Sequence, residues 1–299
     1  MSQSSHSNLG SHTLVLNKDN LVSDGKNSTF VYDFPTSVHF KSEQLAIAQL
    51  QMYYSWENIN ASPLNNNQFA YDFPEGASKV EYTITIPDGL FEISDMNYFL
   101  KSQMIANNHY LVNDKEQNVY FLELKISPTD YSVQFNMYSV PTSLPTGWTN
   151  PASMPFSSGG LANATTEVII PSTNNFKDII GFQSGRYPAT TQTTDQSQKS
   201  SDFSPRLIPE VQPNRNVIIT CTGINNPYAN PQTKIFSIAP NVGIGEYIDY
   251  KPAEYLYNDL ADGLYNQLRI QFLDKDGVPL TILDPDTTIL LTIRHKPLV

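Results

Sequence analysis

The sequence predicts an all-β protein, a sandwich or jelly roll, and three observations carry that prediction. Charged residues are 16% of the 299-residue chain, well below the roughly 25% usual for soluble domains. Asn, Ser, Thr, Tyr and Pro take the place of the Glu and Lys that long surface helices need, a mix that suits strands joined by turns. About eleven segments also repeat their apolar residues with period two, while one long segment repeats at helical spacing.

Residues 1–28 are mostly Ser, Asn, Gly and His around the short apolar "LVL" at 14–16, and they read as a flexible N-terminal arm. "TFVYDFP" (29–35) is a short strand stopped by Pro35. In "EQLAIAQLQMYYSW" (43–56) the first half is compatible with a helix. The alternation of Ala46, Ala48, Leu50, Met52, Tyr54 and Trp56 favours a strand. "VEYTITIP" (80–87) puts Val80, Tyr82, Ile84 and Ile86 on one face and Glu81, Thr83 and Thr85 on the other. The helix comes next, capped by Ser94 or Asp95, with Met96, Phe99, Leu100 and Met104 as its apolar stripe.

Period two resumes in "VYFLELKI" (119–126) and "YSVQFNMY" (131–138), where Tyr131, Val133, Phe135 and Met137 share a side. Residues 139–165 are rich in Pro, Ser, Gly and Asn. "EVIIP" (167–171) is a short strand and "FKDIIGF" (176–182) a helical turn. The polar stretch 183–205 is expected to be a long exposed loop and the most mobile part of the body. Strands are predicted again at 216–222, 234–239, 246–250, 267–273 and 287–294, and no repeat of fixed period runs through the chain.

"LRIQFLDKDGVPL" (268–280) admits two readings. Asp274, Asp276 and Gly277 resemble the start of a calcium loop. The residues after them offer no carboxylate until Asp284, and Lys275 stands between the two aspartates where its charge opposes a cation. The alternation of Leu268, Ile270 and Phe272 against Arg269 and Gln271, followed by the turn pair Asp276-Gly277, makes this stretch the corner of a sheet. The pattern returns in Ile289, Leu291 and Ile293.

No reaction chemistry is legible. His6, His12, His39, His109 and His295 are scattered, without the spacing of a local metal site. Cys221, alone in the chain, shares a predicted strand face with Val217 and Ile219 and reads as a buried, inert thiol. "GIGE" (243–246) is a turn, not a dinucleotide fingerprint, and the chain has neither a GxSxG elbow nor a phosphate loop. Asp284 with Asp286, and Glu43, read as solvated surface charge. The sequons at Asn27, Asn60 and Asn163 are chance matches in Asn-rich sequence. No catalytic, cofactor-binding or metal-ligating residue is therefore assigned, and no cofactor is expected. The net charge of −11 and the lack of any Lys/Arg run argue against nucleic-acid binding. No apolar run approaches the ~20 residues of a membrane span, and the N-terminus lacks the pattern of a secretion signal.

Several segments, taken in order, resemble the penton-type minor capsid proteins of virophages (Mavirus-like) and Polinton-like viruses. They are "FVYDFP" running into "LAIAQLQMYYSWENI", "YTITIPDGLFEISDMNYFL", "NFKDIIGF" with "RYP", and "LRIQFLDKDGVPL" with "ILLTIR". The resemblance spans most of residues 29–294 and rests on the order of the segments, each of which is degenerate alone. It implies a single jelly roll of the vertical type with an inserted or elaborated outer region. It implies a function as the pentameric vertex of an icosahedral double-stranded DNA virus capsid, with the virion as its location. The implied partners are further copies of itself, the major capsid protein and other minor capsid proteins. On this footing 29–138 is the first part of the roll, 139–215 a loop-rich outer insertion and 216–299 the second part. "TFVYDFP" would lie beside "TILLTIR" and "AIAQLQMYY" beside "LRIQFL", and the arm would order only on assembly. A carbohydrate- or receptor-binding β-sandwich is the alternative, motivated by the 183–205 loop and the surplus of tyrosines. A metal-dependent jelly-roll enzyme stands third.

Overall fold

A computed structural model describes residues 11–297 of the chain. As the composition and the alternation predict, it is all-β: two α-helices accompany eighteen strands among the described residues. Up to Glu57 the strands are β1 (Ser11–Leu16), β2 (Thr29–Phe40) and β3 (Glu43–Tyr53). Asn58–Pro213 then carries β4 (Gln68–Glu75), β5 (Ser78–Thr85), α1 (Ile93–Ala106), β6 (Tyr110–Val112), β7 (Asn118–Tyr120) and β8 (Leu122–Ile126). The same stretch continues with β9 (Val133–Met137), β10 (Glu167–Ile170), α2 (Phe176–Ile180), β11 (Gly185–Tyr187) and β12 (Gln196–Lys199). Last come β13 (Val217–Cys221), β14 (Lys234–Ile238), β15 (Tyr247–Tyr250), β16 (Asn258–Asp259), β17 (Gly263–Leu273) and β18 (Thr288–His295).

The chain forms two compact units. The described residues up to Glu57 and from Asn214 make the first; Asn58–Pro213 make the second. In the first unit one sheet has the order β1-β18-β3-β15 and the other β14-β13-β17-β2, every pairing antiparallel. Lettered B to I along the chain, with the short β16 left out, these are the B-I-D-G and F-E-H-C sheets of a complete eight-stranded jelly roll. The insertion interrupts it once, between the third strand β3 and the fourth, β13, that is, in the D–E connection.

Alternation places the core of this unit between its sheets. Leu268, Ile270 and Phe272 of β17 face inward, as do Ile289, Leu291 and Ile293 of β18 and Val217, Ile219 and Cys221 of β13. Phe30 meets Phe272 edge to face with 5.8 Å between ring centres. The stretch 268–280 is a corner. Asp274 closes it, its Oδ1 accepting the amides of Asp276 (2.9 Å) and Val278 (2.8 Å), while Gly277 supplies a φ of 81°.

Several expectations are corrected. The 1–28 arm is ordered from Ser11: Leu14 and Leu16 of β1 are buried, and the strand pairs along β18 from Ser11↔Arg294 to Leu16↔Ile289. Residues 1–10 of the predicted arm lie outside the described residues. Because β1 is the true first strand, the expected partners are exchanged: β2 lies beside β17, and β3 beside β18. β2 is not stopped at Pro35. It is an edge strand, and Pro35 falls where the pairing skips from Asp33↔Gln267 to Val38↔Tyr265, so no ladder bond needs its missing N–H. In β3 the inward residues are Leu45 and Ile47 and then Leu50 and Met52. The register shift opposite Leu290/Leu291 leaves Ala48 unpaired and flips the alternation there.

The predicted boundary at 138 moves, because the inserted unit starts at Asn58 and includes the helix and the strands at 80–87, 119–126 and 131–138, while its other end, at Pro213, lies close to the expected 215. It contains the sheets β11-β10-β4-β5 and β12-β9-β8 and the hairpin β6-β7, with α1 packed on β8. Ile93, Met96, Leu100 and Met104 form the buried stripe of α1. Its cap is Glu92, two residues before Ser94, and the Asp95 carboxylate accepts the Glu92 amide at 2.9 Å. α2 ends at Gly181, whose φ is 69° and whose missing Cβ would stand 2.8 Å from the Pro209 nitrogen. The stretch 183–205 contains β11 and β12, edge strands of the two sheets.

A chain beginning at Asn17 lacks β1. It should unfold at lower urea than a chain beginning at Ser11, by at least about 3 kcal/mol for the two buried leucines. Coincident urea midpoints for the two chains would show that β1 does not belong to the roll.

Candidate functional site

The residues that drew attention in the sequence do not converge. Cys221 is buried in β13, and burial pushes its thiol up to about 12, far from a reactive thiolate. His12 and His39 stand on β1 and β2, and His295 faces Glu43 at 3.4 Å across β18 and β3. His6 lies outside the described residues. Gly243 and Gly245 form a turn whose Gly243 amide is held by Glu246 at 2.8 Å. Asp284 accepts the Asp286 amide at 2.8 Å in a turn of its own. Asn27 and Asn163 occupy left-handed turn positions, and Asn60 is buried with its Oδ1 on the Leu64 amide.

Among the described residues, the histidine with a buried, built environment is His109. Its ring lies flat on Phe73, 3.8 Å between centres, and its residue is 1% exposed. Nδ1 is 2.8 Å from the Tyr71 hydroxyl and Nε2 is 3.3 Å from Glu75 Oε1. Asn107 donates to the Tyr71 oxygen at 3.2 Å, so the Tyr71 proton points to Nδ1 and the neutral imidazole carries its hydrogen on Nε2, toward Glu75. Tyr82 also donates to Glu75 Oε1. Burial lowers His109 to about 4 although Glu75 pulls the other way; burial also raises Tyr71, and takes Tyr82 to about 12. The four groups stand in a Glu–His–Tyr order that could relay a proton, with His109 and Tyr71 buried and Glu75 and Tyr82 half-buried. His109 is remote in sequence from the other three, and β4, which carries Tyr71 and Glu75, is buried along nearly its whole length and shows no alternation to betray it.

Beside them lies an ionic cluster. Glu167 and Asp72 sit opposite each other on β10 and β4, both buried. Arg186 of β11 bridges them and reaches Glu81 at 3.8 Å, while Lys79 binds Glu167 and the Thr191 hydroxyl. Two cations thus neutralise carboxylates that would otherwise repel across the ladder.

The inserted unit also holds a groove of about 440 Å³. Phe121 forms its floor, the β6–β7 hairpin supplies Asn113, Gln117 and Asn118, and Tyr120, Tyr138 and Trp148 bring aromatic surface. Lys101, Glu123 and Asp195 are its charged members. A second hollow, of about 540 Å³, lies between β14 and β15 in the first unit and is lined by the connection that joins them.

No family model matches the chain, and no curated protein matches it. Among solved structures the chain is similar to the mavirus penton protein, with a TM-score of 0.44 and 8% identity over 95% of this chain and 98% of that one.

The depressed basicity of His109 fixes the sign of a pH effect. An unfolded chain takes up a proton near pH 6.5 that the folded chain refuses down to about 4. Folding stability is complete above pH 6.5 and falls as the pH drops through that window, by on the order of 3 kcal/mol. The His109→Gln variant should lose this part of the slope in urea titrations run between about pH 7 and pH 4. An unchanged slope would remove His109 as its source.

Proposed function

We propose that the chain is a capsid vertex protein, a penton, of an icosahedral double-stranded DNA virus, and that it works as a homopentameric building block beside the major capsid protein. The observation that carries this reading is the strand order of the first unit. Eight strands complete a jelly roll, the architecture shared by viral capsid and lectin domains. The ordered sequence segments between 29 and 294 that resemble the penton family support it from a separate direction.

The interior favours a block over a vessel. Leu16, Phe30, Leu50, Trp56, Phe272 and Leu291 fill the space between the sheets, where a jelly-roll enzyme would keep a ligand chamber. A ring closed by rotation needs two unlike faces on each copy, meeting in heterologous contacts. Aromatic and aliphatic side chains suit the cores of such contacts. The first unit exposes Val15, Tyr247, Tyr255, Leu256 and Leu264, each by close to half or more of its surface. In this reading the virion is where the protein resides, and other minor capsid proteins are further candidate partners.

Native mass measurement of the purified chain, alone and with its major capsid protein, tests the proposal. A five-copy species that is taken up into assembled particles is expected. A monomer or trimer that particles exclude under both conditions would reject it.

A further inference from the structure

The groove of the inserted unit has the chemistry of a saccharide site. Sugar rings present a patch of C–H groups on one face and hydroxyls around the rim, so their sites combine aromatic rings with planar polar side chains, in hollows of roughly 300–1,000 Å³. The groove, at about 440 Å³, offers Trp148, Tyr120 and Tyr138 among its walls and the amides of Asn113, Gln117 and Asn118 beside them.

Its polar groups are held in place before any ligand arrives. Thr149 and Val112 exchange both backbone bonds, 2.8 and 3.0 Å, which pins the Trp148 loop to the end of β6. Asn113 Oδ1 accepts the amides of Lys115 and Gln117, both at 2.9 Å, and its Nδ2 donates to Gln117 Oε1 at 3.3 Å. That leaves the Gln117 Nε2 group as a donor for a ligand. Asn118 donates to the Tyr120 hydroxyl at 3.2 Å, which leaves the Tyr120 proton to give. Asp195 Oδ1 accepts both the amide and the hydroxyl of Ser139, at 2.9 and 3.1 Å, and so fixes the carboxylate. Glu123 accepts from Asn136 at 3.0 Å and from Tyr138 at 3.4 Å. Lys101 stands 5.6 Å over the Tyr120 ring and 3.8 Å from Glu123.

Charge chooses among saccharides. The lining holds two carboxylates and one ammonium, and Lys125 stands 3.8 Å from the Glu123 carboxylate, so the groove is close to neutral within a chain of net charge −11 whose overall field repels sialylated or sulfated sugars. We propose that this groove binds a neutral glycan, with Trp148 stacking on a pyranose face and Gln117, Tyr120 and Asp195 bonding its hydroxyls. The site rests on the groove alone and is independent of the vertex reading: a monomer could bind sugar, and a pentamer could fail to.

Saturation-transfer NMR and calorimetry on the full chain, with a panel of neutral, sialylated and sulfated oligosaccharides, test it. At least one neutral glycan should bind saturably. Trp148→Ala should weaken that binding by roughly tenfold or more, and Trp148→Phe should restore much of it. Gln117→Ala, at an exposed side chain of the hairpin whose one side-chain bond is the 3.3 Å contact with Asn113, should weaken it severalfold with little change in melting. Silence across the neutral panel at millimolar saccharide would overturn the proposal. So would a preference for the anionic sugars, or affinity unchanged in both Trp148→Ala and Gln117→Ala.

Discussion

An insertion of about half a chain can interrupt a β-sandwich only if it leaves and returns at one place, and this constraint organises the molecule. In the first unit the indole of Trp56 donates to the Asn214 carbonyl at 2.9 Å, so the residue next to the last one before the insertion is joined to the first one after it. Trp56 also bridges Ile282 and stacks near Tyr54, 4.2 Å between ring centres, which roots the junction in the core of the roll. The second unit repeats the device with its own groups. Buried Asn58 donates to Val211 at 2.8 Å and to Phe91 at 2.7 Å, and it accepts the Phe91 amide. Each unit therefore brings its chain ends together internally, and each has a separate hydrophobic cluster. That is the condition under which domains tolerate being nested.

The way the two cores are filled differs. Between the sheets of the roll the described buried side chains are overwhelmingly aliphatic and aromatic, and alternation, reset at the β3 register shift, decides most of those that face inward. The inserted unit adds polar groups to its interior: the imidazole of His109, the Tyr71 hydroxyl, and the Glu167 and Asp72 carboxylates with their cations. Removing one partner from such a cluster leaves the other stranded away from water, which costs more than the pair contributes. Burial of His109 accordingly makes the stability of the inserted unit answer to pH, while the core between the sheets of the roll answers mainly to lost apolar burial.

These differences explain what was legible in the sequence. The all-β class and most strands of the roll could be read because each has one wet face and one dry face, so "LRIQFL" and "TILLTIR" alternate plainly. β4 could not, because six of its eight residues are buried and period two vanishes when both faces are covered. β1 was hidden by its neighbours: a six-residue edge strand with two buried leucines looks like a tail until its partner β18 is known. Missing it misassigned the pairing of the next two strands, since counting from the wrong first strand shifts every partner by one. The groove was invisible for another reason. Its residues come from α1, the β6–β7 hairpin, β8, the Trp148 loop and the stretch before β12, and only the tertiary fold assembles them.

The richness in Asn acquires a physical meaning at the same time. In the sequence it marks strands joined by turns. In the structure many of these residues point inward and close loops. Asn66 accepts the Asn60 amide and donates to the Asn58 carbonyl, while Asn174 accepts the amides of Phe176 and Gln68. Asn67 donates to Ile86, and Asn258 donates to the Ile235 carbonyl. A primary amide carries both a donor and an acceptor, so one side chain satisfies two backbone groups that a loop would otherwise strand out of reach of water. A charged side chain in the same place would bring only one kind of partner and a desolvation cost. The low charge of the chain is thus in part a consequence of long connections that must be folded back on themselves, and only the remainder is free to shape a surface.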